Sequence, residues 1–211
     1  MTDPSPDPAG RHDPGPRADD TAPGVEVLEP DRSSAPAAQV RAALTRPGTR
    51  CLVLVLDGAR VDWDDDAVLA VAATSTPVVA VLRGDLTGHA AAVALAADLR
   101  VATPATTVTV EPLVGATSLT LPRAVGDAAA RLLLLDPRRL DATDAARTGL
   151  VHEVYEDARS SALALAARVA ARPGLGAAVG RALGRPDVAV ALTEEARLRA
   201  VVALHSPDGT G

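Results

Sequence analysis

The sequence predicts an α/β protein with a mainly parallel sheet and a helical C-terminal region. Two continuous apolar runs, residues 51–57 and 77–82, have the composition of strands that are buried on both faces. Helical segments alternate with these strands, which is typical of a parallel sheet covered by helices on both sides. The segments from residue 157 onward all have helical spacing, which predicts an all-helical end to the chain.

Apolar spacing, helix caps and turn residues predict the elements in chain order. The predicted strands cover residues 25–28, 51–57, 77–82, two short pieces on either side of Pro104 within 99–114, and 151–156. The predicted helices cover residues 35–46, 64–74, 89–97, 123–135, 141–150, 157–172, 174–184 and 187–204. Pro47-Gly48 ends the first helix, and Asp141 suits a capped helix start.

The composition divides the 211 residues into three parts. Residues 1–24 consist mainly of Pro, Asp, Gly, Arg and Ala, and we predict a disordered tail there. Residues 25–156 are expected to form the α/β core. Residues 157–211 are expected to form a shortened helical region that mediates oligomerisation.

Charge and aromatic content argue against nucleic-acid binding. The formal net charge is −6, and Trp63 and Tyr155 are the aromatic residues apart from histidine, so neither a basic surface nor a stacking platform is expected. No apolar stretch has the length or continuity of a membrane span, and none resembles a signal peptide. The single cysteine, Cys51, suits a reducing compartment, and we expect a cytoplasmic protein.

Four acids surround the start of the second predicted helix, and two interpretations are available for them. Asp62, Asp64, Asp65 and Asp66 resemble a metal site by composition. Acidic side chains also collect at solvated helix N-termini, where they complement the helix dipole, and we favour this interpretation. The histidines show no metal-ligand spacing, so we expect no metal.

A glycine-containing turn joins a buried strand to a helix with almost no polar side chains. The chain leaves the strand at 77–82, passes Gly84 and Gly88, and enters the Ala-rich helix at His89. This arrangement directs backbone N–H groups at a negative charge on a ligand. Whether a ligand binds at this helix start depends on the rest of the chain.

The same region resembles the crotonase superfamily, which comprises the enoyl-CoA hydratases and isomerases. The segments TPVVAVLRG, LTG and ALAADLRVA, and later LPRAVG and DAARTGLV, follow the order of motifs in that family. The residues that match the first motifs are Pro77, Gly84, Gly88, Asp98, Leu99, Arg100 and Ala102. The late helix is also similar, with Glu195 ahead of a Ser-Pro-Asp signature at residues 206–208. The resemblance extends over residues 50–208.

The resemblance implies a ββα spiral core and binding of a coenzyme A thioester without a further cofactor. It places one oxyanion donor on the backbone N–H of His89. The second donor would come from the backbone near Arg60, Val61 and Asp62. Gly84 and Gly88 would leave room for the thioester. The imidazole of His89 either contacts the ligand or only packs at the helix start.

The catalytic pattern of the family is incomplete in this sequence. Family hydratases use two glutamates, and the first falls on Ala92, whose methyl group cannot transfer a proton. The second falls one position away from Glu111. A one-residue deletion in the loop around Pro104 would restore Glu111 as the catalytic acid/base, whereas without it the side chain would lie on the opposite face of its strand.

Two functions follow as hypotheses. The first is an acyl-CoA enzyme in which Glu111 is the sole acid/base, which favours dehydration or double-bond isomerisation over direct hydration. The second is a non-catalytic accessory subunit that assists a second crotonase or a polyketide synthase, as do hydratase-like subunits in the synthesis of dihydroxyphenylacetyl-CoA in secondary metabolism. The family resemblance also implies a trimer or a hexamer.

Overall fold

A computed structural model describes residues 21–58, 60–172, 174–184 and 187–205 of the chain. Most of the predicted tail and the Ser-Pro-Asp signature lie outside the described residues. The strands are β1 (Val25–Leu28), β2 (Cys51–Asp57), β3 (Val78–Arg83), β4 (Asp85–Leu86), β5 (Leu99–Ala102), β6 (Thr107–Val108), β7 (Leu140–Asp141) and β8 (Glu153–Val154). The helices are α1 (Pro36–Thr45), α2 (Asp65–Ala73), α3 (Gly88–Ala96), α4 (Thr117–Val125), α5 (Asp127–Leu135), α6 (Ala142–Thr148), α7 (Ala158–Ala170), α8 (Leu175–Leu183) and α9 (Val188–His205).

A five-stranded sheet forms the centre of the molecule, and all its pairings are parallel. The strand order is β1-β2-β3-β5-β8. Along β2, Leu52 and Leu54 contribute to the core on one face of the sheet, whereas Cys51 and Val53 contribute to the core on the other. Both faces are therefore buried, which explains why the strands have continuous apolar sequences and confirms the predicted parallel sheet.

Helices cover the two faces of this sheet. The small residues Ala162 and Ala166 of α7 are completely buried against one face. The opposite face packs against a layer that contains α1, α2 and α3, with Val68 and Ala91 fully buried in that core. Because α7 presents alanines, it can lie close to the sheet.

A second, three-stranded sheet forms beside the main one and was not predicted. Its order is β4-β6-β7, with β4 and β6 parallel and β6 and β7 antiparallel. Each of its strands has only two residues, too few to show an apolar pattern in the sequence. This sheet matters for the site because it joins the segments that continue into Gly88 and Glu111.

The predicted helix at 123–135 was wrong in its limits. The structure has α4 and α5 instead, separated at Gly126, where φ is +81°. A residue other than glycine rarely adopts this conformation, so Gly126 allows the helix to break here. The apolar spacing of the sequence continues across the break and does not reveal it. The capped start at Asp141 is confirmed, since the Asp141 side chain accepts a hydrogen bond from the N–H of Asp144 at 2.8 Å.

The Asp-Leu-Arg motif that follows α3 has a structural role. Asp98 Oδ2 accepts a hydrogen bond from the N–H of Val78 at 2.8 Å. The buried Arg100 guanidinium donates to the carbonyl groups of Leu150 and Ala97 at 2.7 and 2.9 Å. Burial lowers the pKa of Arg100 to about 10, so the side chain remains charged at neutral pH.

None of the helices in the described part of the chain has the length and apolar character needed to span a bilayer.

Candidate active site

The candidate site lies at the start of α3, beyond the carboxyl end of β3. Gly84 turns the chain with φ +70°, and Gly88, the first residue of α3, has φ +52°. Both values lie in the left-handed region that favours glycine. The first N–H groups of a helix have no intrahelical acceptor. The N–H groups of Gly88 and His89 are therefore donors available to an oxyanion.

The carboxylate of Glu111 faces this helix start. Its Oε1 and Oε2 atoms lie 3.6 and 3.7 Å from the position that a Cβ atom on Gly88 would occupy. The parallel pairing of β4 with β6 sets Leu86 opposite Val108, so the segments that follow these strands run side by side. The sequence left the orientation of Glu111 open. In the structure the side chain is exposed and lies on the Gly88 side.

The loop that follows Glu111 is tightly folded. Leu113, Gly115 and Ala116 all have φ between +59° and +62°. Such a conformation costs roughly 1–3 kcal/mol for a residue other than glycine, so surrounding contacts must hold it. One of these is the hydroxyl group of Thr117, which donates to the Glu111 carbonyl at 2.9 Å.

Helix α9 supplies further contacts to this loop. The carboxylate of Glu195, which is 1% exposed, accepts hydrogen bonds from the N–H groups of Ala116 and Ser118 at 2.8 Å each. It also accepts one from the Ser118 hydroxyl at 2.6 Å. Arg199, one helical turn later on the same face, donates to the Leu113 carbonyl. The sequence marks Glu195 only as part of the late helix. Its role could not be predicted, because its partner Ala116 lies 79 residues earlier in the chain.

Ala92, at the position of the first glutamate in family hydratases, has no space for a larger side chain. It is completely buried, and a Cβ atom on Gly115 would lie only 2.4 Å from the Ala92 methyl group. The backbone of Gly115 therefore occupies the region into which a carboxylate at position 92 would extend. Ala92 therefore supplies no acid/base group, and the space beside it has no room for one from a larger side chain.

The imidazole of His89 contacts the first residue of α2. His89 Nε2 lies 3.0 Å from Asp65 Oδ1, and the two side chains are 36% and 42% exposed. Asp64, in the same acidic cluster, caps the start of α2, since its Oδ1 atom accepts a hydrogen bond from the N–H of Ala67 at 2.8 Å. Within the described residues, no group of three or more potential ligands could hold a metal ion.

The loop after β2 lies against β4 but differs from the expectation for a second oxyanion donor. A Cβ atom on Gly58 would overlap the Asp85 carbonyl, so the two backbones are in direct contact. The N–H of Arg60 donates to the Asp57 carbonyl at 3.0 Å, which leaves the N–H groups of Val61 and Asp62 as the expected donors in this loop. The side chain of Val61 is buried in the core, so only its backbone could reach a ligand.

Three arginines gather around Glu29 near the carboxyl ends of β1 and β3. Arg60 and Arg83 lie 3.4 and 3.5 Å from Glu29 Oε2, and Arg159 pairs with Oε1. Arg32 adds a fourth guanidinium by donating to the Arg60 carbonyl. Asp31 also interacts electrostatically with Arg60, so the carboxylates near the cluster are at least those of Glu29 and Asp31. The cluster lies at the same edge of the sheet as the start of α3.

A hollow of about 640 Å³ lies at the other end of α3. Its lining includes Leu95 and Leu99, together with apolar side chains of α7 and α8. Neither Gly88 nor Glu111 contributes to it. The hollow is therefore separate from the candidate site.

Comparison with known proteins decides the family. A sequence model of the enoyl-CoA hydratase/isomerase family matches residues 61–200. The chain belongs to the enoyl-CoA hydratase/isomerase family. The resemblance to the crotonase superfamily is thereby confirmed.

Individual relatives agree with this assignment. The chain is 39% identical over 115 residues to a probable enoyl-CoA hydratase of Mycobacterium tuberculosis, a match that covers 51% of this chain and 44% of the relative. The matched region thus spans less than half of the length of that protein.

Solved structures show that the fold is shared. An enoyl-CoA hydratase from Mycobacterium avium subsp. paratuberculosis has a TM-score of 0.68 at 24% identity, with 89% of each chain covered. An enoyl-CoA hydratase/isomerase from Pseudoalteromonas atlantica has a TM-score of 0.68 at 22% identity, covering 82% of this chain and 84% of the other. The crotonase fold expected for this enoyl-CoA hydratase/isomerase family member is therefore confirmed.

Proposed function

We propose that the protein binds a coenzyme A thioester at the start of α3 and catalyses dehydration or double-bond isomerisation of its acyl group. One observation carries the proposal: the Glu111 carboxylate lies 3.6 Å from the Cβ position of Gly88, the residue that precedes His89. A proton acceptor and an oxyanion donor at one helix start are the two groups that enolate chemistry requires.

The proposed chemistry begins at the α-carbon of the acyl group. Glu111 accepts the Cα proton, and the negative charge that develops on the thioester oxygen is stabilised by the N–H of His89. For isomerisation, the Glu111 carboxylic acid returns the proton to the γ-carbon of the enolate. For dehydration, it gives the proton to the leaving 3-hydroxyl group, which departs as water. Glu111 ends each cycle as a carboxylate, and no further cofactor is needed.

The arginine cluster supports a coenzyme A substrate. Arg60, Arg83 and Arg159 contact Glu29 at the same edge of the sheet as Gly88, and Arg32 donates to the Arg60 carbonyl beside them. Guanidinium groups bind phosphate oxygens through charge-assisted hydrogen bonds. We propose that the phosphates of coenzyme A bind there, which would leave Arg60 as a substrate-binding residue through its side chain.

The test of the proposal is a Glu111→Gln variant, assayed with crotonyl-CoA and 3-hydroxybutyryl-CoA. We expect turnover to fall by at least about 100-fold while binding of the thioester is retained, because the amide cannot accept a proton. Glu156→Gln is the matched control, since Glu156 is also exposed. Unchanged turnover in Glu111→Gln would remove Glu111 from the mechanism, and absence of thioester binding by the wild type would refute the proposed function.

A second candidate function is that of an accessory subunit that assists a synthase, such as a polyketide synthase of secondary metabolism, or another crotonase. It is favoured by apolar side chains that α8 and α9 leave exposed. The examples are Leu175, Val179, Leu183, Val190, Leu198 and Leu204, with exposed fractions between 40% and 83%. Such side chains are expected to become buried against another chain. We propose a homotrimer or hexamer as the first assembly formed through these helices.

Two measurements separate the candidates. Light scattering on the purified protein gives its mass in solution, and Leu198→Ser should lower that mass if α9 lies in a homo-oligomer interface. Thioester binding without turnover by the wild type, together with a synthase that co-purifies, would favour the accessory function.

We propose a cytoplasmic location in either case. The presence of one cysteine, Cys51, which cannot form a disulfide within the chain, supports it.

A further inference from the structure

We propose that the imidazole of His89, oriented by Asp65, is a second proton-transfer group of this site. It would protonate the leaving hydroxyl group while Glu111 acts at the α-carbon. The inference rests on the proposed function, and it assigns a catalytic role to the His89 side chain and a positioning role to Asp65. In the proposed function His89 acts only through its backbone N–H.

The first argument is the position of the ring on α3. His89 and Ala92 are three residues apart in a helix and therefore lie on the same face. Side chains on a helix lean toward its N-terminus, so a glutamate at position 92 would extend toward the turn that contains residue 89. Gly115 contacts both positions: a Cβ atom on it would lie 2.4 Å from the Ala92 methyl group and 3.6 Å from His89 Cδ2. The imidazole thus lies on the surface from which the family carboxylate is missing.

The second argument is the contact with Asp65. The 3.0 Å distance between His89 Nε2 and Asp65 Oδ1 is that of a hydrogen bond in which Nε2–H donates. A carboxylate on one ring nitrogen fixes the orientation and the tautomer of the ring. Among the described residues, Nδ1 of His89 has no hydrogen-bond partner, which leaves this atom for a substrate.

The third argument is the distance between the two groups. Gly88 and His89 are consecutive, and the Glu111 carboxylate lies 3.6 Å from the Cβ position of Gly88. Since consecutive Cα atoms are 3.8 Å apart, the carboxylate lies within roughly 9 Å of the His89 Cα atom. The carboxylate and the imidazole therefore both lie at the start of α3, as does the N–H of His89, the proposed oxyanion donor. A thioester bound there would present its α- and β-carbons to both groups.

The proton balance of dehydration is then as follows. The Glu111 carboxylate takes the Cα proton, and the imidazolium of His89 gives its Nδ1 proton to the 3-hydroxyl group. The Cβ–O bond breaks, the Cα–Cβ double bond forms, and water leaves. Glu111 is then a carboxylic acid and His89 is neutral, and transfer of the proton from Glu111 to His89 restores the starting state. Hydration of the enoyl thioester is the reverse sequence.

The test separates the two proton transfers. Exchange of the Cα proton of butyryl-CoA in D₂O needs only the base and the oxyanion donor, whereas dehydration of 3-hydroxybutyryl-CoA also needs the acid. We expect His89→Gln to lower kcat for dehydration by at least about 100-fold, with Cα exchange and thioester binding retained. Asp65→Asn should cause a smaller loss in the same step. Asp66→Asn, which removes the same charge from the same helix turn, should cause none.

Several results would overturn the inference. Dehydration by His89→Gln at the wild-type rate would do so, and so would equal loss of exchange and dehydration, which would indicate a structural role. Dehydration that is absent in a wild type that still exchanges the Cα proton would also exclude an acid at His89. If His89→Gln does not fold, Asp65→Asn tests the same step without a change in α3. A wild type that neither binds nor exchanges the thioester would instead refute the proposed function itself.

Discussion

The Glu195 carboxylate accepts a hydrogen bond from the N–H of Ala116 at 2.8 Å, across 79 residues of sequence. Ala116 has φ +62° and belongs to the loop that begins at Glu111. Helix α9 is therefore part of the support of the candidate catalytic carboxylate. The C-terminal helices consequently affect the site as well as any subunit contacts.

Glu195→Gln is expected to destabilise the protein. The amide has one acceptor oxygen in place of two, so at least one of the N–H groups of Ala116 and Ser118 would face an NH₂ group. An unsatisfied buried donor costs about 1–3 kcal/mol, and we expect a loss of that size in the free energy of unfolding measured in urea. Glu194→Gln, at the exposed neighbouring residue, is the matched control. Equal midpoints and slopes for the two variants would contradict the role of Glu195.

Much of the fold could be predicted from the sequence, because burial on both faces leaves a continuous apolar pattern. That pattern gave β2 its limits of 51–57, and the Asp141 cap was recognised from its residue type. The break at Gly126 was missed because α4 and α5 have similar helical patterns on both sides of it. The two-residue strands β4 and β7 were missed because they are too short for any period, whereas β6 falls within the strand piece predicted after Pro104.

The candidate site was predictable only in part. Gly84 and Gly88 could be recognised because a strand, a glycine turn and an apolar helix follow one another in the chain. The orientation of Glu111 depends on the pairing of Leu86 with Val108, a contact between distant segments. The pairing of His89 with Asp65 depends on how α2 packs on α3, so from the sequence alone Asp65 was interpreted as an ordinary acid at a solvated helix start.

Gly115→Ala is expected to destabilise the loop for two separable reasons. The new methyl group would lie 2.4 Å from the Ala92 side chain, and alanine would have to adopt φ +61°. Gly126→Ala isolates the second reason, because Gly126 has φ +81° but no atom within 4 Å of the Cβ position. The backbone term costs about 1–3 kcal/mol, and overpacking adds a similar amount. Thermal and urea unfolding should therefore show a larger loss for Gly115→Ala. Equal losses would indicate that the loop moves freely away from α3.

Ala92→Glu is expected to fail as a restoration of the two-glutamate pattern. Ala92 is 0% exposed, and the Gly115 backbone fills the space beside it, so the new carboxyl group would be buried without a partner. Burial of an unpaired polar group costs about 2 kcal/mol or more. We expect a lower free energy of unfolding and no gain in the hydration of crotonyl-CoA. Ala96→Glu, at a partly exposed position of the same helix, should be tolerated better. A stable Ala92→Glu variant with increased turnover would show that the loop can open.

The stability of the protein is expected to fall in mild acid through His152. Partial burial, followed by the charge of Arg100, lowers the pKa of His152 below its usual value near 6.5. Nδ1 of the ring accepts a hydrogen bond from the Arg100 N–H at 3.0 Å, which the protonated ring could not do. Below about pH 6.5 the unfolded chain thus binds more protons at this residue than the folded chain, and the free energy of unfolding decreases as the pH falls.

Urea denaturation at pH 7.5 and pH 5.5, with the wild type and His152→Gln, measures this contribution, since the other titrating groups are common to both proteins. The variant should lose less stability than the wild type between the two pH values, because it has no proton to take up at position 152. The same fall in both proteins would mean that His152 titrates alike in the folded and unfolded chains. A larger fall in the variant would mean that protonation of His152 stabilises the folded protein. The neutral ring would then not be needed as the acceptor of the Arg100 N–H.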